Sequence, residues 1–344
     1  MILQKTNPDF LNGMPFTIQI NNIRHSDVHY HPNAIELLYC LRGNASVKID
    51  NESYIITKGE FVLIEQQNIH CIFSDNDNLF LSMHIDLKKT PYQYETIRYF
   101  YFACMTRYCY KWQQNALQEI CGTLISAAYL QLTGPPLTHE QCFEISDKLV
   151  TLLVDYFGWF TVSGLTPDEN QKYVNRLNNT LTYIQKNYNK KITLRQLAKN
   201  EFINENYFSQ FLKRTPYQSF TGLLNYIRCF EAQKILLTTN ATLDEISHHC
   251  GFSSKKYFHK YFKSIWNTTP LKFKNWFREY SKKAEDIRTP NKEELLSFME
   301  SFIISSYISQ FNNNARPQRN PKPLADDKMQ RFEQDIQLKE HELK

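Results

Sequence analysis

Two stretches of this chain of 344 residues carry side chains suited to reading a polyanion. Asn206, Ser209, Gln210 and Lys213 fall on one side of the segment 204–213 when it is wound as a helix, and Lys255, Lys256, His259, Lys260 and Lys263 fall on one side of 253–263. Amides and hydroxyls pair with base edges and ammonium groups with phosphates. Gln210 has the donor and acceptor that match N6 and N7 of adenine. The other side of each segment is apolar. Phe208, Phe211 and Leu212 recur as Phe258, Tyr261 and Phe262 at the i, i+3, i+4 spacing of one helical face, which must be core. An exposed lysine face alone is only a solvated surface. The same face occurring twice in a basic field points to DNA.

Each of these helices needs a partner to hold it, and the residues before it supply one. Thr193 with Gln196, and Thr242 with Glu245, have capping-box spacing, so a short helix starts at each. Asn204, and Ser253 or Ser254, can cap the following helix, and Gly251 supplies a residue tolerant of positive φ in the second turn. The reading is helix, turn, helix, twice over. From 180 to 281 there are 16 Lys and Arg against 6 Asp and Glu, a net of +10, whereas residues 1–179 carry 13 against 18, a net of −5. The basic excess is confined to one domain.

This stretch resembles the AraC-type family of bacterial transcription regulators. The matching residues are Arg228, Ala232 and Ile235 to Leu237 in a linking helix, Glu245-Ile246, Gly251-Phe252, Tyr257-Phe258, Phe262-Lys263 and Thr269-Pro270. The first unit departs more from the pattern. Phe202 stands where a small turn residue is common, and Tyr217 and Asn267 replace glycines that often follow each recognition helix. The resemblance implies double-stranded operator DNA as a partner, a homodimer, and RNA polymerase as a further partner open to such a regulator. A DNA-repair variant of the same architecture is disfavoured, because the four-cysteine zinc cluster it needs is absent.

Residues 16–87 read as short strands rich in β-branched and aromatic residues, at 16–20, 36–41, 45–49, 53–57, 60–64 and 79–85, separated by Gly, Asn and Asp turns. Such strands suggest a small barrel or jelly roll. The segment also resembles a cupin, through His29-Tyr-His31, Glu36 and Gly43 in one motif and Gly59 with His70 in the frame of a second. In metal-dependent cupins the positions of His29, His31, Glu36 and His70 bind iron, manganese or zinc, and imidazole with carboxylate suits those ions. Glu65 and Gln67 stand where such cupins usually have Pro and Gly. Two readings stay open: these four residues form the polar wall of a small-molecule effector site with no metal or other cofactor and no catalytic residue, or they belong to a metal-dependent cupin enzyme fused to a DNA-binding module. For His29 a mere hydrogen bond at the barrel mouth is a third.

The expected class is α+β: a cupin-like β-barrel sensor at 1–90, a helical dimerisation and linker region at 91–165, an all-α double helix-turn-helix domain at 171–281, and a helical, partly disordered tail at 282–344. Helical patterns at 95–112, 117–132 and 139–157 make up the second region, where a dimer interface and core packing within one chain explain the same aromatics equally well, and the first helix of the DNA-binding domain begins near Lys172. In the tail, Leu295, Phe298, Met299, Phe302 and Ile303 form one apolar face, 312–323 reads as disordered, and 328–344 is a highly charged helix candidate. Nothing reads as a signal peptide or a membrane span, which predicts a cytoplasmic protein. Eight cysteines without a C-x-x-C pair predict free thiols in cores. The function expected is sequence-specific transcription regulation by a small molecule, by resemblance often a sugar or related metabolite.

Overall fold

A computed structural model describes residues 2–10, 13–89, 102, 104–157, 167–215 and 217–313. The first strands are β1 (Gln4–Lys5), β2 (Phe16–His25), β3 (His29–Tyr30), β4 (Ala34–Arg42) and β5 (Asn44–Ile49). They are followed by β6 (Glu52–Thr57), β7 (Phe61–Ile64), β8 (His70–Phe73) and β9 (Leu79–Asp86). Along the main path the strand order is β1-β3-β8-β2-β9-β4-β7, with β5 between β6 and β8. The six expected strands are all present. The short β1 and β3 and the four-residue β8 were not anticipated, because each is too short to show a period.

The inner and outer faces of this barrel follow from strand parity. Glu36, Leu38 and Cys40 on β4 face inward with Ile23, Val47, Ile64, Ile72 and Phe80, which form one apolar cluster with the two of these that are apolar on β4. Leu37, Tyr39 and Leu41 face outward and join Leu63, Leu81 and Met83 in a second cluster that continues into the helices. Hence β4 is buried on nearly every residue, as a strand covered on both sides must be.

The outer cover is α1 (Gln114–Thr133) and α2 (His139–Leu152), which ends in a π turn at Leu153–Phe157. Part of the pattern expected at 95–112 lies outside the described residues. Its described part forms two 3-10 turns, Thr106–Tyr108 and Lys111–Gln113, instead of a helix, and Met105 bridges to Val62. The remaining helices are α3 (Pro167–Asn187), α4 (Leu194–Asn200), α5 (Glu205–Lys213), α6 (Phe220–Thr238), α7 (Leu243–His249), α8 (Lys255–Trp266) and α9 (Pro270–Tyr280). α3 starts at Pro167, earlier than the expected Lys172, because proline is favoured in the first helical turn.

Beyond α9 come β10 (Asp286–Arg288) and α10 (Lys292–Asn313). The apolar face read in the tail is used: Leu295, Met299 and Phe302 are buried, and the Phe302 ring meets Tyr39 of β4 edge-on at 6.4 Å. β10 was not anticipated, since three exposed residues carry no strand pattern. The readings made for 314–344 lie outside the described residues. No described helix is long and apolar enough to cross a membrane. The cysteines are free thiols, six buried and Cys109 and Cys121 partly so.

The helical domain packs directly on the barrel. Asp50, at the β5–β6 turn, accepts hydrogen bonds from the Ile69 backbone at 3.1 Å, Asn68 Nδ2 at 2.6 Å and Gln233 Nε2 of α6 at 3.2 Å. Lys234 donates to Gln67 beside it, and Lys48 Nζ lies 4.3 Å from the Trp276 ring centre on α9. Burial pushes the Asp50 pKa from 3.8 to about 6, against the three hydrogen bonds. With the folded value above the unfolded one, the native chain holds the extra proton in that window. The stability Asp50 contributes is therefore greatest below it and falls as pH rises through it, by about 2 to 3 kcal/mol in all. Asp50→Asn is expected to flatten the pH dependence of the thermal midpoint between about pH 4 and pH 6, the window between its unfolded and folded values, relative to the parent. Superimposable pH profiles would show that this carboxyl is not the one that titrates.

Candidate nucleic-acid interface and sensor site

The two helix-turn-helix units are capped as their sequence specifies. Thr193 and Gln196, and Thr242 and Glu245, form reciprocal capping boxes at α4 and α7. Asn204 Oδ1 accepts from the Tyr207 backbone at 2.7 Å, and Ser254, not Ser253, caps α8. The hydrogen bonds to Thr242 hold the exposed Glu245 carboxyl below its usual range. Gly251 sits at φ +77, and a Cβ there would lie 2.8 Å from the Tyr188 carbonyl. That same carbonyl accepts from Arg228 Nε at 2.8 Å, so Arg228 ties α6 to the end of α3. The substituted turns also resolve: Phe202 takes φ +54 itself, Asn267 takes φ +48, and after α5 the left-handed residue is Gln218, not Tyr217. Asparagine tolerates that region readily; phenylalanine does not.

The faces divide as expected. Phe208, Phe258 and Phe262 have no accessible surface, whereas Asn206, Gln210, Lys213, Lys256, Lys260 and Lys263 are exposed and Ser209 and His259 half-buried. Lys255 is exposed but bound to Asp244 at 2.8 Å, so one of the nine candidates is already partly neutralised. Sequence reading missed three exposed aromatics beside these residues. Tyr207 and Tyr257 stand on the first turns of α5 and α8, and Phe202, 96% exposed, in the first inter-helix turn. Tyr207 and Tyr257 were legible as the one aromatic of each helix outside the apolar period.

In the barrel, register brings four sequence-distant residues together. His29 of β3 pairs with His70 of β8, and Glu36 of β4 pairs with His84 of β9. Single ligand atoms of His29, His31, Glu36 and His70 lie within 4.8 Å of one another. Glu36 Oε2 is 3.1 Å from His70 Nε2, 3.4 Å from His31 Nε2 and 3.7 Å from His84 Nε2. Burial alone would raise the Glu36 pKa. The His84 charge and the contacts with His31, His70 and His84 outweigh it and hold this carboxyl well below the usual range. His29 is driven well below its ordinary value by burial and by its His70 and His31 neighbours. His84 is the site residue the sequence reading missed. Its inward parity with Phe80 and Ser82 on an anticipated strand was the available signal.

Above this cluster lies a cavity of about 280 Å³, walled by Thr17, Gln19, Asn21 and Ile23 of β2, Ser82 of β9, Gln4 and residues 6–9 of the N-terminal arm, and Glu285 and Ile287 from beyond α9. Its charged walls are Asp9, Asp27, Glu36 and Glu285, with no Lys or Arg among the described lining residues.

The chain matches the cupin domain family over 19–82 and a helix-turn-helix domain family over 197–275. It is 24% identical over 283 residues to the HTH-type transcriptional regulator YdeC of Bacillus subtilis, covering 75% of this chain and 89% of that one. It is 26% identical over 266 residues to the HTH-type transcriptional regulator YdiP of Escherichia coli, covering 73% and 83%. Among solved structures it is similar to ToxT of Vibrio cholerae, at 12% identity and a TM-score of 0.39, over 76% of this chain and 98% of that one.

Three substitutions separate the roles of the recognition helices. Gln210→Ala is expected to cost roughly 1 to 3 kcal/mol at one base pair and to relax discrimination there. Lys213→Ala should weaken all DNA sequences alike and lower the salt slope by about one phosphate contact. Phe258→Ala should lose roughly 3 to 5 kcal/mol of folding stability through the cavity it leaves. Selections on randomised duplexes, run beside thermal melts, check all three. An unchanged motif for Gln210→Ala, or an unchanged melt for Phe258→Ala, would reverse the assignment.

Proposed function

We propose, from the premise that this chain belongs to the AraC-type transcription regulators, that it reads an asymmetric DNA half-site and adjusts that binding to a small molecule held in its N-terminal barrel. The observation that carries the first half is the repeated capped unit whose polar face is exposed while its aromatic face is buried. With α6 joining the two units, the recognition helices enter successive major grooves on one side of the duplex, about 34 Å apart. A partner copy docks through α1 and α2, a reading supported by Leu130, Phe143 and Tyr156 lying exposed on and just beyond those helices.

The second half rests on the polar cavity. At about 280 Å³ it is at the small end of ligand pockets, which run upward from roughly 300 Å³. Hydroxyl and amide walls, with Asp9, Asp27 and Glu285 unopposed by Lys or Arg among the described lining residues and Glu36 already met by His31 and His84, favour a neutral or cationic ligand bearing hydroxyl or amino groups, a sugar or related metabolite, over an anion. His29, His31, Glu36 and His84 form its floor, and His70, fully buried, does not line the cavity but stands behind Glu36 at 3.1 Å.

One observation supports the second reading, a metal at this floor. His29 Nδ1 lies 2.8 Å from the Asp27 carbonyl and His70 Nδ1 3.0 Å from the Asn68 carbonyl, so each of these nitrogens carries the proton and donates. In a neutral ring Nε2 then offers a lone pair. At His70 that lone pair would face Glu36 Oε2, an arrangement that requires a positive charge between or upon them. A proton meets that need, and so does a divalent first-row ion held by the three imidazoles and Glu36, with the carbonyl-bound Nδ1–H groups orienting the rings. Such an ion would supply a Lewis-acidic point for an oxygen or nitrogen of the ligand.

Titrating the full chain with pools of polar metabolites, followed by thermal shift and DNA affinity, tests the sensor. His31→Ala and Glu36→Ala are expected to abolish the response while the DNA affinity of the ligand-free chain persists. A parental response in both variants would remove the cavity from the account. Metal analysis of purified protein decides the second reading: stoichiometric iron, manganese or zinc, lost in His70→Ala, establishes it, and metal-free protein that still responds to ligand eliminates it.

A further inference from the structure

The cavity of the barrel is not closed by the barrel alone. Glu285 and Ile287, which line it, lie after the last helix of the DNA-binding domain, in a segment that the cupin and helix-turn-helix matches leave uncovered. β10 pairs antiparallel with β2, Asp286 opposite His25, Ile287 opposite Ile23 and Arg288 opposite Asn22, with a bulge between Asp286 and Ile287. Thr289 Oγ1 donates to Asn21 Oδ1 at 2.7 Å, and Asn21 is itself a cavity wall. The strap thus sits on the rim strand whose alternate residues face the ligand space.

Both ends of the strap are anchored on the barrel, the first through the end of the DNA-binding domain's last helix and the second through α10. On its N-terminal side Tyr280, the last residue of α9, stacks on His25 at 4.3 Å and donates its hydroxyl to the Ile72 carbonyl at 2.6 Å. Ile72 also lines the cavity. On its C-terminal side α10 is held by Met299 and Phe302 against the outer face of the barrel and the helices that cover it. Between these anchors the strap makes one three-residue pairing, all of it exposed. Two-stranded pairings of this length are marginal, so the strap is a low-stability unit between two stable ones.

We propose that residues 285–289 form the outer wall of the effector site and transmit its occupancy to the DNA-binding domain. A ligand resting on the His and Glu floor reaches Glu285 and Ile287 across the cavity. Its contacts set whether β10 stays on β2, and the position of β10 sets the end of α9 through Tyr280. The sensor and the DNA-binding domain are then coupled through the segment after the domain as well as the one before it. This inference rests on the cavity being the effector site.

The test uses the full chain and needs no identified ligand. Asn22→Cys with Arg288→Cys places two thiols at directly opposed positions of an antiparallel pair, a spacing a disulfide can span. DNA selected by the parent chain serves as the probe, and Arg288→Cys alone is the control for the native thiols. Closing the disulfide is expected to change DNA affinity by about tenfold or more, and reductant to restore it. An affinity that does not respond to oxidation overturns the proposal, whatever the cavity binds. To test the wall, Ser82→Phe fills the cavity from β9 and hydrogen exchange is read at 285–289; Thr17→Phe on β2 replaces it if the first variant lacks a cooperative melt. Altered strap protection with parental protection in α6 is expected. If the disulfide changes DNA affinity but neither filled cavity alters the strap, the proposal also falls, because the strap would then join the domains without sensing. The cavity reading itself falls only on the metabolite titration above.

Discussion

Strand β4 is buried on both faces, and much of the molecule is arranged to satisfy that constraint. Its outer residues, Leu37, Tyr39 and Leu41, need an apolar cover, which the helices after the barrel and α10 provide. Its inner residues, Leu38 and Cys40, continue the barrel core, but the same parity turns Glu36 inward as well. A carboxylate in that position costs several kcal/mol unless positive charge or hydrogen bonds meet it. The strands beside and across from β4 bring His84 and His70 to it, the turn after β3 brings His31, and the core becomes a site at one end.

The same logic of covered faces explains how the two halves of the chain meet. One contiguous apolar cluster runs from the outer face of the barrel through the helices into the cores of both helix-turn-helix units. Polar contacts over this junction among the described residues include Gln233 on Asp50, Lys234 on Gln67, Lys48 on the Trp276 ring, Tyr280 on the Ile72 carbonyl and the Ile2 backbone N–H on the Leu237 carbonyl. The junction is apolar in bulk, and these directional contacts fix its register. Its buried acid, with a pKa raised to about 6, adds a contact whose strength varies with protonation.

Recognition is built on the opposite principle. The residues proposed to meet DNA stand on α5 and α8, which are fixed by their Asn204 and Ser254 caps, by buried Phe208, Phe258 and Phe262, and by Arg228 on the Tyr188 carbonyl. Groups that must meet base edges within a fraction of an ångström gain from rigid helices, whereas a sensor gains from a loosely paired rim. The left-handed Phe202, nearly fully exposed, carries backbone strain on a bulky aromatic side chain, as Gln218 does on a smaller one.

By itself the sequence determined what depends on neighbours in the chain. Caps at Thr193, Asn204 and Thr242, the aromatic faces of α5 and α8, the β-branched and aromatic runs of β2 and β9 and the apolar face of α10 are each set by residues a few positions apart, and all were legible. His29, His31, Glu36 and His70 were legible through resemblance to a known motif. Tertiary structure alone decided what depends on register and on packing between distant segments. His84 enters the site because it lies opposite Glu36 across two strands, and Lys255 is partly withdrawn from the DNA face by Asp244 of the preceding helix. Met105 and the 3-10 turns around it follow β7 instead of a helical period. β10 has no pattern of its own; its three exposed residues are a strand only because β2 offers them an edge at the mouth of the cavity.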